Sequence, residues 1–268
     1  NSQDFDGTNF TSSFVRLTGL TEDSSVYYRV CEGDTCGDRL WFKTAATDNS
    51  PFVMLAGGDT RTGWSTRILG NQLLAKIRPL FIMHGGDFTS ANNANQMKEF
   101  FKDWQLTFSN DTIDGIAYKR IYPLVPTLGN HEDGDYSTLC KVFGVDYNND
   151  GVCTDDDTYG AFDISPLLRV YTLNSEYKNS GWSTQAAAQN SWLASDLTAN
   201  SDKVSWRFAQ YHKPIFPHST SKVENPILFT WWANEFYNNK MNLAFESDTH
   251  LSKITQPVTP VGDTFQVN

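Results

Sequence analysis

Five short stretches of this chain place oxygen and nitrogen donors where a pair of cations could be held. Gly58-Asp59, Gly86-Asp87 and Gly129-Asn130-His131-Glu132 supply carboxylates, an amide and an imidazole; His212 and Asp248-Thr249-His250 add more. A carboxylate that bridges two cations keeps them about 3.5–4 Å apart, close enough to clamp the attacking and leaving oxygens of an in-line displacement at phosphorus. A cation also acidifies the water it binds, which makes hydroxide available near neutral pH. One Gly-Asp or one histidine by itself is most often a turn or a satisfied surface group. Five in order, each following an apolar run, are harder to dismiss.

Those runs are the elements that must position the donors. Phe52-Val53-Met54-Leu55-Ala56, Leu80-Phe81-Ile82-Met83 and Tyr122 to Leu128 are short, apolar and bounded by glycine, as strands of a sheet buried on both faces are. Val204 to Tyr211 runs into His212, and Met241 to Phe245 runs into the 246–250 segment. Ligands of open α/β sheets bind beyond the carboxyl ends of the strands, where Asp59, Asp87 and Asn130 emerge. Helices are expected over Thr66–Ile77, Ala94–Leu106, Thr184–Leu197 and, more weakly patterned, Phe229–Asn238.

With these blocks in place the chain resembles the calcineurin-like metallophosphoesterases, and among them the purple acid phosphatase branch, which carries a fibronectin-like domain ahead of the catalytic one. The family's blocks run Gly-Asp, Gly-Asp, Gly-Asn-His-Glu/Asp, a histidine after a strand, then Gly-His-x-His. Asp59, Asp87, Asn130-His131, His212 and His250 match them, and Gln189 to Leu197 is similar to the helix before the fourth block. The resemblance implies an α/β fold, a two-sheet αββα sandwich with helices outside. It also implies that Asp87 bridges two metal ions (Fe, Zn or Mn), that Asp59 and His250 hold one, and that Asn130 and His212 hold the other. His131 becomes the candidate for protonating the leaving alkoxide or steadying the phosphoryl oxygens, a role that suits an imidazole with an unperturbed pKa near 6.5.

The departures from that pattern carry expectations of their own. Asp248 stands where the family has histidine, and Ser247 where it has glycine; a carboxylate there is expected to coordinate the second ion and to make that site harder, the bland alternative being an exposed loop acid with the second ion weakly held or absent. Ser90 stands where the purple enzymes place tyrosine, so no purple colour is expected. Arg61 stands where most other members have histidine, and arginine does not ligate a cation. It is expected either to hold a substrate phosphate oxygen or to pair with Asp248 or another nearby acid. His84, inside a strand, reads as a buried hydrogen-bonded histidine. His218 follows a loop that lines the substrate pocket in the purple branch, which makes it a candidate phosphate contact.

A separate segment, Asp146 to Asp157, has calcium-loop spacing. Asp146, Asn148, Asp150 and Asp157 fall at positions 1, 3, 5 and 12, Gly151 at 6, and Val152 at the position that supplies a backbone carbonyl. Aspartate at 12 predicts modest affinity, and no helical pattern flanks the loop as in an EF-hand. An acidic solvated turn is the bland alternative. The four cysteines bracket short segments, so the parsimonious pairing is Cys31 with Cys36 and Cys140 with Cys153, although three connectivities exist.

Disulfides with calcium predict a secreted or periplasmic protein, and no apolar run is long enough to span a membrane. At 268 residues with 39% hydrophobic side chains the chain can bury a large core. A net charge of -10 argues against a nucleic-acid partner, and requires a local positive focus if the substrate is an anionic phosphorylated molecule. Residues 1–47 read as an incomplete fibronectin III-like β domain, with Phe14-Val15-Arg16-Leu17, Val26 to Val30 and Leu40 to Thr44 as strands. Residues 51–268 read as the catalytic domain. The expected function is a secreted metal-dependent phosphoesterase using a metal-bound hydroxide, phosphomonoesterase before phosphodiesterase. The contrasting expectation is a non-catalytic, calcium-dependent binding module with a decayed site.

Overall fold

Short strands rich in apolar side chains are stabilised by burial between two layers, and this shapes the architecture. In the computed structural model of the chain, which describes residues 2–5, 10–61, 65–132 and 134–268, Phe81–His84 is buried throughout. It runs parallel to Met54–Gly57 on one side and to Leu124–Pro126 on the other. A second sheet orders Gly160–Ser165, Leu168–Thr172, Trp206–Tyr211 and Leu243–Glu246, its first pair antiparallel and the rest parallel.

The two sheets pack face to face. Phe81, Met83 and Val125 from one meet Leu168 and Val170 from the other, with Phe162, Phe208 and Phe245 around them. Burying each such side chain stabilises by about 1.5–3 kcal/mol. Ile82, one residue out of phase, turns to the opposite face and meets Leu74 of the helix Ser65–Ile77, as strand alternation requires. On the outer face of the second sheet, Leu193 and Leu197 of the helix Ser183–Ala199 and Leu228, Trp232 and Phe236 of the helix Pro226–Asn238 cover Tyr171, Ala209 and Tyr211. The result is the expected αββα sandwich.

Boundaries shift where local chemistry intervenes. The helix starting at Ala94 is capped by the Asn93 side chain and stops at Trp104, tightening into a 3-10 turn at Gln105–Thr107. Several hairpins go beyond what the sequence signals predict. One of them, Ser109–Ile113 with Ile116–Arg120, turns on Asp114 and Gly115, both at positive φ, the preferred Asp-Gly hairpin chemistry.

At the N-terminus Ser25–Tyr28 and Leu40–Lys43 pair as antiparallel strands, and the latter continues in parallel to Ile116–Arg120, so one four-stranded sheet unites them with the 109–120 hairpin. Phe14 to Leu17 does not form the expected strand: Val15 and Leu17 are exposed, with no sheet face to cover. The paired strand is Thr11–Ser13, against Ser2–Asp4. Phe5 and Phe10 reach the core of Phe88, Phe100 and Leu128. Both expected disulfides are formed, Cys31–Cys36 and Cys140–Cys153. Among the described residues no helix is long and apolar enough to cross a membrane.

Candidate metal centre

Parallel strands deliver all their carboxyl ends to one edge, and here the loops leaving that edge are tight. Asp59, Arg61, Asp87, Asp248 and His250 all have positive φ, between 40° and 62°. For residues with a Cβ such a conformation costs on the order of 1–3 kcal/mol, and it clusters at functional sites. The close approach also explains the glycines. A Cβ on Gly129 would lie 2.3 Å from the Asp87 backbone nitrogen, and one on Gly85 would overlap the Ser247 hydroxyl.

Glu132 ties these loops together. Its Oε2 accepts the backbone N–H groups of Asp87 and Gly129 at 2.9 and 3.0 Å, and its Oε1 accepts that of Phe88 at 3.0 Å. Burial pushes this carboxyl up to about 7 despite the three N–H donors. Asp87, itself fully buried, is held from several sides. Its Oδ1 accepts the His131 N–H at 2.9 Å, its Oδ2 accepts Arg61 Nη2 at 3.0 Å, and His212 Nε2 lies 3.3 Å from Oδ1. Burial works to raise Asp87, but His212, the His131 N–H and Arg61 hold it below the ordinary carboxylate range.

Asp59, Asp87 and His250 form the first cluster, with donor atoms all within 4.8 Å of one another. Asp59 Oδ2 accepts the Asp248 N–H, while Oδ1, buried, receives no hydrogen bond and lies 3.2 Å from His250 Nε2. Burial raises the Asp59 carboxyl, and the charge of Asp87 adds to the effect. An unsatisfied buried carboxylate oxygen facing a second carboxylate and an imidazole fits a divalent cation. Arg61 Nη2 also reaches His250 Nε2 at 3.1 Å, so the arginine pairs with the acid and lies against the cluster.

The second group, Asn130, His212 and Asp248, is also brought together. His212 Nδ1 bonds the Gly85 carbonyl at 2.7 Å, which fixes the proton there and turns Nε2 to Asn130 Oδ1 at 3.1 Å; outer hydrogen bonds of this kind orient metal-ligating imidazoles. Burial alone would lower His212, yet Asp248, Asp87 and Asp59 hold it up at about 9. Two lysines enter this group. Lys213 Nζ donates to Asn130 Oδ1 at 2.5 Å and to Asp248 Oδ1 at 2.6 Å, and Lys222 Nζ donates to the same Asp248 oxygen at 2.9 Å. Burial opposes them, but His212 and the two ammonium groups keep Asp248 far below the usual carboxylate range.

The remaining histidines separate. His131 Nδ1 bonds the Ser90 carbonyl at 2.7 Å, leaving Nε2 3.7 Å from Asp87 Oδ2 on the open side of the cluster. His84 is buried beside Phe88 with Nε2 on the Thr60 hydroxyl, and burial lowers it to about 3. His218 is exposed, at positive φ, and among the described residues no hydrogen bond or ion pair joins it to the acids.

In the 146–157 loop the side chains bond locally. Asp150 Oδ1 accepts the Val152 N–H, Asn148 bonds Asp150, Asp157 accepts from Thr154, and Arg16 pairs with Asp146. Asp157 is buried and raised by that burial, with Asp146 and Asp150 adding repulsion. Among the described residues, however, the one group of three acidic or imidazole side chains close enough to share a cation is Asp59, Asp87 and His250.

The family model for the calcineurin-like phosphoesterases matches residues 64–251. No curated protein matches the chain. Among solved structures, PhoD superposes with a TM-score of 0.57 at 12% identity, covering 87% of this chain and 58% of its own. GAP50, the anchor in the inner membrane complex of Plasmodium, superposes with a TM-score of 0.49 at 14% identity, covering 71% of this chain. This chain therefore spans less than two thirds of either, 58% of PhoD and 64% of GAP50. With the matched span, the strand-end blocks and the Asp-Asp-His cluster together, the chain belongs to the calcineurin-like phosphoesterase family.

Proposed function

We propose that this chain is a secreted, metal-dependent phosphoesterase that hydrolyses phosphate esters at the edge where Asp59, Asp87 and His250 meet, with monoesters favoured over diesters. The observation that carries the reading is the buried Asp59 Oδ1, without a hydrogen bond and facing Asp87 and His250. Those three residues would hold a cation, with manganese, zinc and iron all compatible with two carboxylates and an imidazole. When bound, the cation supplies Lewis acidity, polarising a phosphoryl oxygen and lowering the pKa of water.

The chain's own residues do the rest. Glu132 fixes the Asp87 loop through three backbone N–H groups, so the Asp87 carboxylate needs no reorganisation during the reaction. Arg61, with its side chain 17% exposed, lies at the mouth of the cluster with a planar fork suited to phosphoryl oxygens. His131, anchored through Nδ1, presents Nε2 on the open side and would carry a proton to the leaving alkoxide. His218 keeps the substrate-contact role expected from sequence only as a residue of the adjoining loop.

Two disulfides support an oxidising compartment. For the 146–157 loop we propose a modest calcium site, supported by the burial of Asp157 against the charges of Asp146 and Asp150. Calcium should then protect this loop from protease, and an unchanged cleavage rate would reject it. For the enzyme itself, release of nitrophenol from mono- or bis-nitrophenyl phosphate on adding manganese, zinc or iron tests the reading. No release from either ester would favour the non-catalytic binding module.

A further inference from the structure

The oxygens that a second ion would need are turned toward a lysine. Asn130 Oδ1 and Asp248 Oδ1 both accept from Lys213 Nζ, at 2.5 and 2.6 Å. Asp248 Oδ1 also accepts from Lys222 Nζ, while His212 Nε2 faces Asn130 Oδ1. A carboxylate or amide oxygen offers two lone pairs; those of Asp248 Oδ1 are taken by the two ammonium groups, and one of Asn130 Oδ1 is taken by Lys213. In the first cluster Arg61 Nη2 reaches Asp87 Oδ2 and His250 Nε2, but the buried Asp59 Oδ1 makes no hydrogen bond.

The position of Lys213 is built rather than incidental. Its backbone N–H donates to Ser175 Oγ at 2.9 Å, two residues past the strand Trp206–Tyr211. Its side chain is 19% exposed, and that of Asp248 is 4% exposed. An ion pair this sheltered is screened far less than a surface pair. An ammonium has three N–H donors. Two are spent on Asn130 and Asp248, which leaves one for an incoming phosphoryl oxygen.

We infer that the Lys213 ammonium, backed by Lys222, stands in for the second metal ion, so that the centre works with one cation at Asp59, Asp87 and His250 and one fixed side-chain charge. The inference rests on the phosphoesterase reading above and refines its two-ion form. It assigns Lys213 a direct contact with the phosphoryl group. It also makes Asn130 and Asp248 holders of the lysine rather than metal ligands.

The test is manganese stoichiometry on metal-stripped protein, with electron paramagnetic resonance to distinguish an isolated ion from a coupled pair. One equivalent with the spectrum of an isolated ion is expected, retained in Asn130→Ala and lost in His250→Ala. Inorganic phosphate, titrated into the manganese-loaded protein, should bind about tenfold more weakly to Lys213→Met, as loss of a charge-assisted hydrogen bond predicts. Lys213→Arg should recover most of that loss. Two equivalents with a coupled spectrum, or loss of the single ion in Asn130→Ala, would overturn the inference and leave a hydrolytic protein's phosphoesterase reading intact. No bound manganese together with no ester hydrolysis would overturn both.

Discussion

Glu132 Oε2 accepts the backbone N–H of Asp87 at 2.9 Å across 45 residues of sequence. The same oxygen takes Gly129 N–H and its partner oxygen takes Phe88 N–H, so one side chain sets the separation of two strand-end loops. Glu132→Gln replaces an acceptor by an amide NH₂ and leaves at least one buried N–H facing a donor. The expected cost is about 1–3 kcal/mol, several degrees of melting temperature for a chain of this size. Manganese affinity should fall with it. A melting temperature equal to wild type would show that the three bonds do not hold the loops.

His84 predicts an acid limb in stability. Burial lowers it to about 3 in the folded chain, against roughly 6.5 in the unfolded chain. Between those values the unfolded state binds the extra proton. Stability contributed by the neutral imidazole is therefore complete above about pH 6.5 and declines as pH falls toward 3, by up to roughly 1.4 kcal/mol per pH unit. Denaturant titrations at pH 7 and pH 5 should show the decline in wild type and a smaller one in His84→Phe. Equal slopes would mean that this histidine is not the titrating group.

His131→Ala should lower turnover by about 10² or more and leave the amount of bound metal unchanged, because Nδ1 bonds Ser90 and Nε2 lies outside the Asp59–Asp87–His250 cluster. The loss should be smaller for nitrophenyl esters, whose leaving group needs no proton, than for an alkyl phosphate. Kinetics on the two esters check this. An equal loss on both would argue for a role in holding the phosphoryl group.

The acids and histidines of the centre were legible because turn chemistry announces them. Glycine followed by Asp59, Asp87 or Asn130 marks a tight exit from a buried strand, and the strand runs fix which end of the sheet it leaves. His84 was legible for the same reason, as a residue inside such a run. Lys213 and Lys222 were not. A loop lysine is ordinarily solvated, and only the tertiary arrangement turns these two onto Asp248. Glu132 stood in the motif, but its work depends on backbone N–H groups 44 and 45 residues away, which no spacing rule reports. The Asp114-Gly115 pair is itself a hairpin signal, of the kind a two-residue turn requires. The alternation of Phe14 to Leu17, by contrast, had no sheet to join: Phe14 lies against Gly144 instead.

The most direct measurement is nitrophenyl phosphate hydrolysis by metal-stripped protein before and after adding manganese, compared with Asp87→Asn. Asp87 is the carboxylate around which Arg61, His131 and His212 all gather. Activity should be absent without metal, appear on its addition, and stay absent in the variant under both conditions. Hydrolysis by the variant at the wild-type rate, or none by the wild type with manganese, zinc or iron, would contradict the account.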